Sequence, residues 1–230
     1  MLRRGTAGVL LLTLAFVCGC SASPDTRGPL PDAGSLVTSA AAGFDRVRAF
    51  QFDFSVSGTI PGLDVREVKG QASRDGGPYG SAGGQADMQQ TTNRFEVSFA
   101  IVGDKLRLTR QKGAPTEEPV PVRYNPVALL DPATGLPNLL RSATGLKTET
   151  REDVNGVATY RVTGELAKDA IAAIVPAIQS DVDVKFWVTQ AEPRTLVRVW
   201  MQVPPRQPNE GAVMLELALS PPSTSSTPAG

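Results

Sequence analysis

AFQFDFSVS, residues 49–57, decides the fold: Phe50, Phe52, Phe54 and Val56 alternate with Gln51, Asp53, Ser55 and Ser57. A period of two places the apolar side chains on one face of an extended strand and the polar ones on the other. The same alternation returns at Phe95, Val97, Phe99 and Ile101, and at Val182, Val184, Phe186 and Val188. It recurs at Val197, Val199, Met201 and Val203, and at Val213, Leu215, Leu217 and Leu219. Weaker strands are expected at 63–73, 105–110 and 157–164. Turn chemistry separates most of them: GTIPG, DGGPYGSAGG, VGDK, VNG and PPRQPN. Strands of this kind pair antiparallel in a meander, with one face covered and one wet.

Helices are few. Ser35 is a candidate cap for a helix carrying Leu36, Val37, Ala40, Ala41, Phe44 and Val47 at spacings of three and four. The stretch 125–141, NPVALLDPATGLPNLLR, reads as two short helices with a kink at Gly135-Leu136-Pro137. ELAKDAIAAIVPAIQ, 165–179, reads as a third, with Leu166, Ala170, Ile171, Ile174 and Ile178 on one side. One large sheet with a few short helices is an α+β arrangement. The helices either plug the concave face completely or leave an apolar pocket, and pattern alone favours the plain core.

Flanking segments bound the domain. Residues 20–33 read as a flexible tether rich in Ser, Pro and Gly, and 221–230 as a disordered tail, leaving 34–220 as the folded domain. Residues 1–19 have the layout of a signal peptide: Arg3 and Arg4, an apolar run from Ala7 to Val17, then small residues. That run falls well short of the roughly 20 residues needed to span a bilayer. Val17-Cys18-Gly19-Cys20 resembles the bacterial lipobox, in which the cysteine is acylated and becomes the mature N-terminus.

Three other readings of the two cysteines compete with this one. A metal clip lacks further ligands, because the chain has no other Cys and no His. A redox pair belongs at the start of a helix inside a folded domain. Simple secretion with cleavage nearby is the remaining alternative. With Cys20 acylated, no thiol is left for a disulfide, and the fold must rest on core burial.

Composition excludes more than it selects. Lys+Arg and Asp+Glu are both 23, which leaves no positive excess for nucleic acid. The lack of histidine removes the usual general base and the commonest transition-metal ligand. Glu117-Glu118 and Asp181/Asp183 read as solvated carboxylates, and GGQ at 83–85 lacks the GK[ST] ending of a phosphate loop. No catalytic residue, cofactor or metal site is nominated. Arg107 and Arg110 read as strand-surface charges. Trp187 and Trp200 fall on the faces opposite the apolar alternation, forming either a packed outer cluster, which is favoured, or a contact patch.

Tyr124-Asn125-Pro126, Leu129-Leu130-Asp131-Pro132, Gly135-Leu136 and Leu139-Leu140 resemble a signature region of the LppX/LprG family of mycobacterial cell-envelope lipoproteins. Gly58-Thr59-Ile60-Pro61-Gly62-Leu63 upstream, and Val154-Asn155-Gly156 leading to Val162-Thr163-Gly164 downstream, follow the family's order. The chain departs from it at Leu106–Arg110 and where Leu219-Ser220 runs into Pro221-Pro222. The resemblance implies a strongly curved antiparallel half-barrel with short helices on its concave face and an apolar cavity. It also implies carriage of acylated lipids or glycolipids across the envelope by a monomer anchored to the cell membrane and facing the cell wall, with a membrane transporter as a further partner.

On that basis the expected cavity wall is Phe52 and Phe54, Val97 and Phe99, Leu129, Leu136 and Leu140, Ile171 and Ile174, and Val184, Phe186 and Val199. The segments around 75–84 and 132–137 are the expected movable edges of the entrance. A non-carrier adaptor whose sheet is filled by its helices is the main alternative; an exported hydrolase is the weakest.

Overall fold

The computed structural model describes residues 25–90, 92–110, 113–121 and 125–222. The expected signal peptide, Cys20, Tyr124 and most of the expected tail lie outside them. Eleven strands form one antiparallel sheet: β1 (Ala49–Ser57), β2 (Val65–Ser73), β3 (Ser81–Gln90), β4 (Asn93–Val102), β5 (Lys105–Arg110), β6 (Thr116–Pro119), β7 (Thr144–Val154), β8 (Val157–Leu166), β9 (Val182–Thr189), β10 (Leu196–Val203) and β11 (Val213–Ser220). Their spatial order is β6-β5-β4-β3-β2-β1-β11-β10-β9-β8-β7, so β1 meets β11 mid-sheet and the edges are β6 and β7. The sheet is open.

Register follows the alternation. Phe52 stands opposite Leu219 and Gly70, and Phe54 opposite Leu217 and Val68. The concave face then continues through Ala86 and Val97, because cross-strand partners share a face. In β10 an extra residue between Leu196 and Arg198 pushes Val197 off that face, and Leu196 takes the buried place. Besides the short β6, strands β3 and β7 are not among those expected. The first is rich in Gly, Ala and Gln, and the second in Thr and charge, so neither carries a strong apolar period.

Three α-helices cover part of the concave face: α1 (Ala33–Gly43), α2 (Leu136–Ser142) and α3 (Lys168–Ala172). The cap of α1 is Asp32 rather than Ser35: its Oδ1 accepts from the Ser35 amide at 2.8 Å, meeting one orphan N–H of the first turn. Leu36, Val37, Ala40 and Ala41 are buried against β7, β9 and β10. The expected helix at 165–179 is mostly something else. Residue 166 ends β8, α3 is only five residues long, and turns carry the chain to Ile178. Leu166 therefore serves as the buried end of a strand.

The expected tether is partly docked. Asp25 exchanges two backbone hydrogen bonds with Arg151 of β7, both 2.9 Å, and its carbonyl accepts from the Thr150 hydroxyl at 3.1 Å. The Arg151 guanidinium donates to the carbonyls of Arg27 and Pro29, at 2.8 and 2.6 Å, and the Thr148 hydroxyl donates to Pro31 at 2.8 Å. The order in this segment comes from a long-range edge pairing that its composition does not announce.

On the convex face, Trp187 is buried. Its Nε1 donates to Glu152, and the Arg198 guanidinium lies 5.5 Å from its ring. Lys185 stands 5.1 Å from the Trp200 ring. The two tryptophans belong to a packed outer cluster.

Candidate functional site: an apolar pocket in the open half of the sheet

The helices do not cover the whole concave face. Over β1–β5 the cover is thin: a 3₁₀ turn, Pro126–Leu130, the flank of α2, and Ile174 and Val175 just after α3. The turn is held by its own sequence. Asn125 Oδ1 accepts from the Val127 amide at 3.1 Å, while its Nδ2 donates to the Tyr79 carbonyl at 2.9 Å. Arg74, at the end of β2, donates to the carbonyls of Val47 and Leu130 at 3.1 and 2.8 Å.

Asp131 Oδ1 then accepts from the amides of Ala133 and Thr134 and from the Thr134 hydroxyl, at 2.8 to 2.9 Å. Burial raises its pKa, but these bonds, with help from Arg74, outweigh that and hold the carboxyl below its ordinary value. At Gly135 any Cβ would meet three carbonyl oxygens within 2.7 Å. Only glycine fits this crossing between turn and helix.

What the cover leaves is an apolar pocket of about 830 Å³. Phe52, Phe54, Val97, Phe99, Leu129, Leu136, Ile174 and Val199 of the expected wall line it. Leu140, Ile171, Val184 and Phe186 do not. They are at most 1% exposed, sealed between the helices and β8–β10, where α1, α2 and α3 fill the face completely.

Several wall residues were missed. Leu106 and Leu108 of β5 and Ala86 and Met88 of β3 face the cavity. The Leu106, Leu108, Arg110 alternation carried the first signal, and it also places Arg110 on the inner face. That arginine is no outer-surface charge: it lines the pocket rim with its guanidinium 4.6 Å from the Phe95 ring. Arg107 does point outward, to Glu117 at 2.8 Å.

Of the exposed lining residues, Gly62, Asp64, Gln90, Arg110, Gly113 and Ala114 gather where β1 joins β2, β3 joins β4 and β5 joins β6, and Thr116, Glu118 and Pro121 extend the opening along the β6 edge. The mouth is there; no residue of 75–84 lines the pocket, and of 132–137 only Leu136 does. Across the sheet, Gly70 and Gly84 let β2 and β3 come together under the Phe52 ring. A Cβ on Gly84 would stand 2.1 Å from the Lys69 carbonyl, and one on Gly70 3.1 Å from that ring.

The convex face has a second, more open depression of about 670 Å³, lined by Gln51, Asp53, Lys69, Gln71 and their neighbours. Its lining mixes these polar groups with Phe52, Val197 and Leu219, and it does not enclose a ligand as the concave pocket does. Among the described residues no cluster of three metal-ligating side chains occurs, and no helix is long and apolar enough to cross a membrane.

An open antiparallel half-barrel holding an apolar pocket of ligand-binding size is a binding-protein architecture. Residues 32–219 match the model of the LppX_LprAFG lipoprotein, and the chain belongs to that family. It is 29% identical over 203 residues to the lipoarabinomannan carrier protein LprG of Mycolicibacterium smegmatis, covering 86% of this chain and 85% of that one. It is 31% identical to the protein of the same name from Mycobacterium leprae, over 82% of this chain and 74% of that one.

Among solved structures, LprF from Mycobacterium bovis superposes with a TM-score of 0.71 at 20% identity, over 88% of this chain and 99% of that one. LppX from Mycobacterium tuberculosis gives 0.61 at 16%, over 82% and 93%. The likeness to these two establishes the half-barrel fold.

Proposed function

We propose that the protein is a lipid-anchored envelope carrier that shelters the acyl chains of a lipid or glycolipid in the pocket between β1–β5 and the Pro126–Leu130 turn. The observation that carries this reading is the continuous apolar pocket of about 830 Å³, which lies within the roughly 300–1,000 Å³ usual for ligand sites. Burying one CH₂ is worth about 0.8 kcal/mol, so roughly fifteen methylenes left in water cost on the order of 12 kcal/mol. A carrier removes that barrier to crossing an aqueous layer.

The wall suits acyl tails, since Phe, Leu, Val and Met offer area and adaptability without directed hydrogen bonds. The role is binding rather than catalysis. Cys20 is the acylated residue that ties the chain to the cell membrane, residues 1–19 are the signal peptide that leads to it, and a membrane transporter is a further partner in passing lipid on. The likeness to the LprG carriers supports a glycolipid ligand.

Lipid extraction and native mass spectrometry of the protein from its own host test the reading: co-purified acylated lipid is expected, and a lipid-free protein overturns it. Cys20→Ala should move the protein from the membrane to the soluble fraction. A protein that contacts a transporter without holding lipid would need the concave face filled, as it is over β8–β10 but not over β1–β5.

A further inference from the structure

The docking of Asp25–Pro31 fixes where the chain enters the domain. The segment runs antiparallel to β7, with Asp25 opposite Arg151 and Pro31 reaching Thr148, so the chain upstream of Asp25 leaves beside the β7–β8 turn. Val154 and Asn155 of that turn line the convex-face depression together with Gln51, Gln71, Gly83 and Ser220. These sit near the start of β1, the end of β2, the start of β3 and the end of β11. The pocket mouth lies at the other ends of the same strands and opens on the concave face. Entry of the chain, at the β7 edge, and mouth of the pocket are therefore at opposite ends of the sheet.

Five residue steps separate Cys20 from Asp25, which span at most about 18 Å. With the strap docked, an anchor at Cys20 holds the β7 edge and the β7–β8 turn close to the bilayer. With the strap free, the slack runs to Asp32, twelve steps and up to about 43 Å, enough for the domain to turn over.

The strap is built to let go. Thr26, Arg27, Gly28 and Pro29 are exposed, Leu30 and Pro31 only half-buried, and surface hydrogen bonds hold the segment. Segments of this kind open at free energies far below global unfolding. While docked, it also covers part of an otherwise open sheet edge.

We infer that the docked strap presents the β7 edge and β7–β8 turn to the bilayer and turns the pocket mouth away from it, and that strap release is the step that lets the mouth reach membrane lipid. This rests on Cys20 being the anchor. The test uses the full-length protein expressed in its host, recovered from membranes and reconstituted in phosphatidylcholine vesicles bearing a headgroup quencher. Fluorophores are placed on Val157→Cys, at the turn, or Ala114→Cys, at the mouth.

Several-fold stronger quenching at 157 than at 114 is expected. The ratio should approach one when Thr148→Val, Thr150→Val and Arg151→Ala together remove the side-chain bonds from β7 to the strap. Equal quenching with the strap intact, or a ratio unchanged by its release, overturns the orientation and leaves the anchor standing. Recovery of the protein in the soluble fraction overturns anchor and orientation together.

Discussion

One sheet, written in one alternating pattern, does two different things on its two sides. Over β8–β10 the inward residues are a packed interior: Val162 and Phe186 are fully buried, and Val184 is 1% exposed. Over β1–β5 the inward residues Phe54, Val68, Phe99 and Leu106 are only partly buried and form a wall. The strands do not differ in kind; the cover does. Three helices lie over the first half, and a five-residue 3₁₀ turn with the flank of α2 lies over the second. The same apolar face becomes a core where it meets side chains, and a binding surface where it meets space.

The sharpest break of this comparison is Phe186→Ala. In the filled half it should destabilise the fold by about 3–5 kcal/mol, read as a lower urea midpoint, with lipid loading per folded molecule unchanged. Phe99→Ala should do the reverse, with a smaller stability loss and less bound lipid. If the two variants behave alike, the division into core and wall is wrong.

Gly84→Ala tests the backbone of the open half. Its Cβ would press on the Lys69 carbonyl and the Gly70 Cα, so a loss of about 1–3 kcal/mol is expected from backbone shifts in β2 and β3. Val97→Trp places an indole in the cavity itself. Lipid recovered per mole by mass spectrometry should fall several-fold while the unfolding midpoint hardly moves.

The smallest effect concerns Asp131, in the loop between the 3₁₀ turn and α2. Its carboxyl titrates below the ordinary value in the folded state, so its contribution is fully present above the unfolded value near 4 and fades as pH falls through the folded one. The stability gap between wild type and Asp131→Asn, measured by urea unfolding, should be constant above about pH 4 and shrink below it.

The likeness between chain and family is easiest to understand in this same loop. Asn125, Asp131 and Gly135 are each fixed by a local requirement: a cap that also clamps the Tyr79 carbonyl, an acceptor for three donors, and a crossing without room for a Cβ. These are the positions that made the sequence recognisable. They build the pocket's thin cover, and Asn125 also lines the pocket beside Leu129 and Leu136.

The sequence by itself determined the strands with strong alternation, because a period of two is a property of neighbours along the chain. It also determined the break at Gly135-Leu136-Pro137, but it presented Arg110 as a surface charge and left the inward face of β5 to the structure. It could not determine which inward faces would be filled. Phe186 and Phe99 stand in equivalent patterns, and only the placement of α1–α3 over β8–β10 separates core from wall. Nor could it place β3 and β7, whose pairing comes from partners far along the chain rather than from their own side chains. The docking of Asp25–Pro31 is of the same kind: Ser, Pro and Gly permit a free tether, and it is the open edge of β7, with Thr148, Thr150 and Arg151 aimed outward, that gives the segment a place to bind.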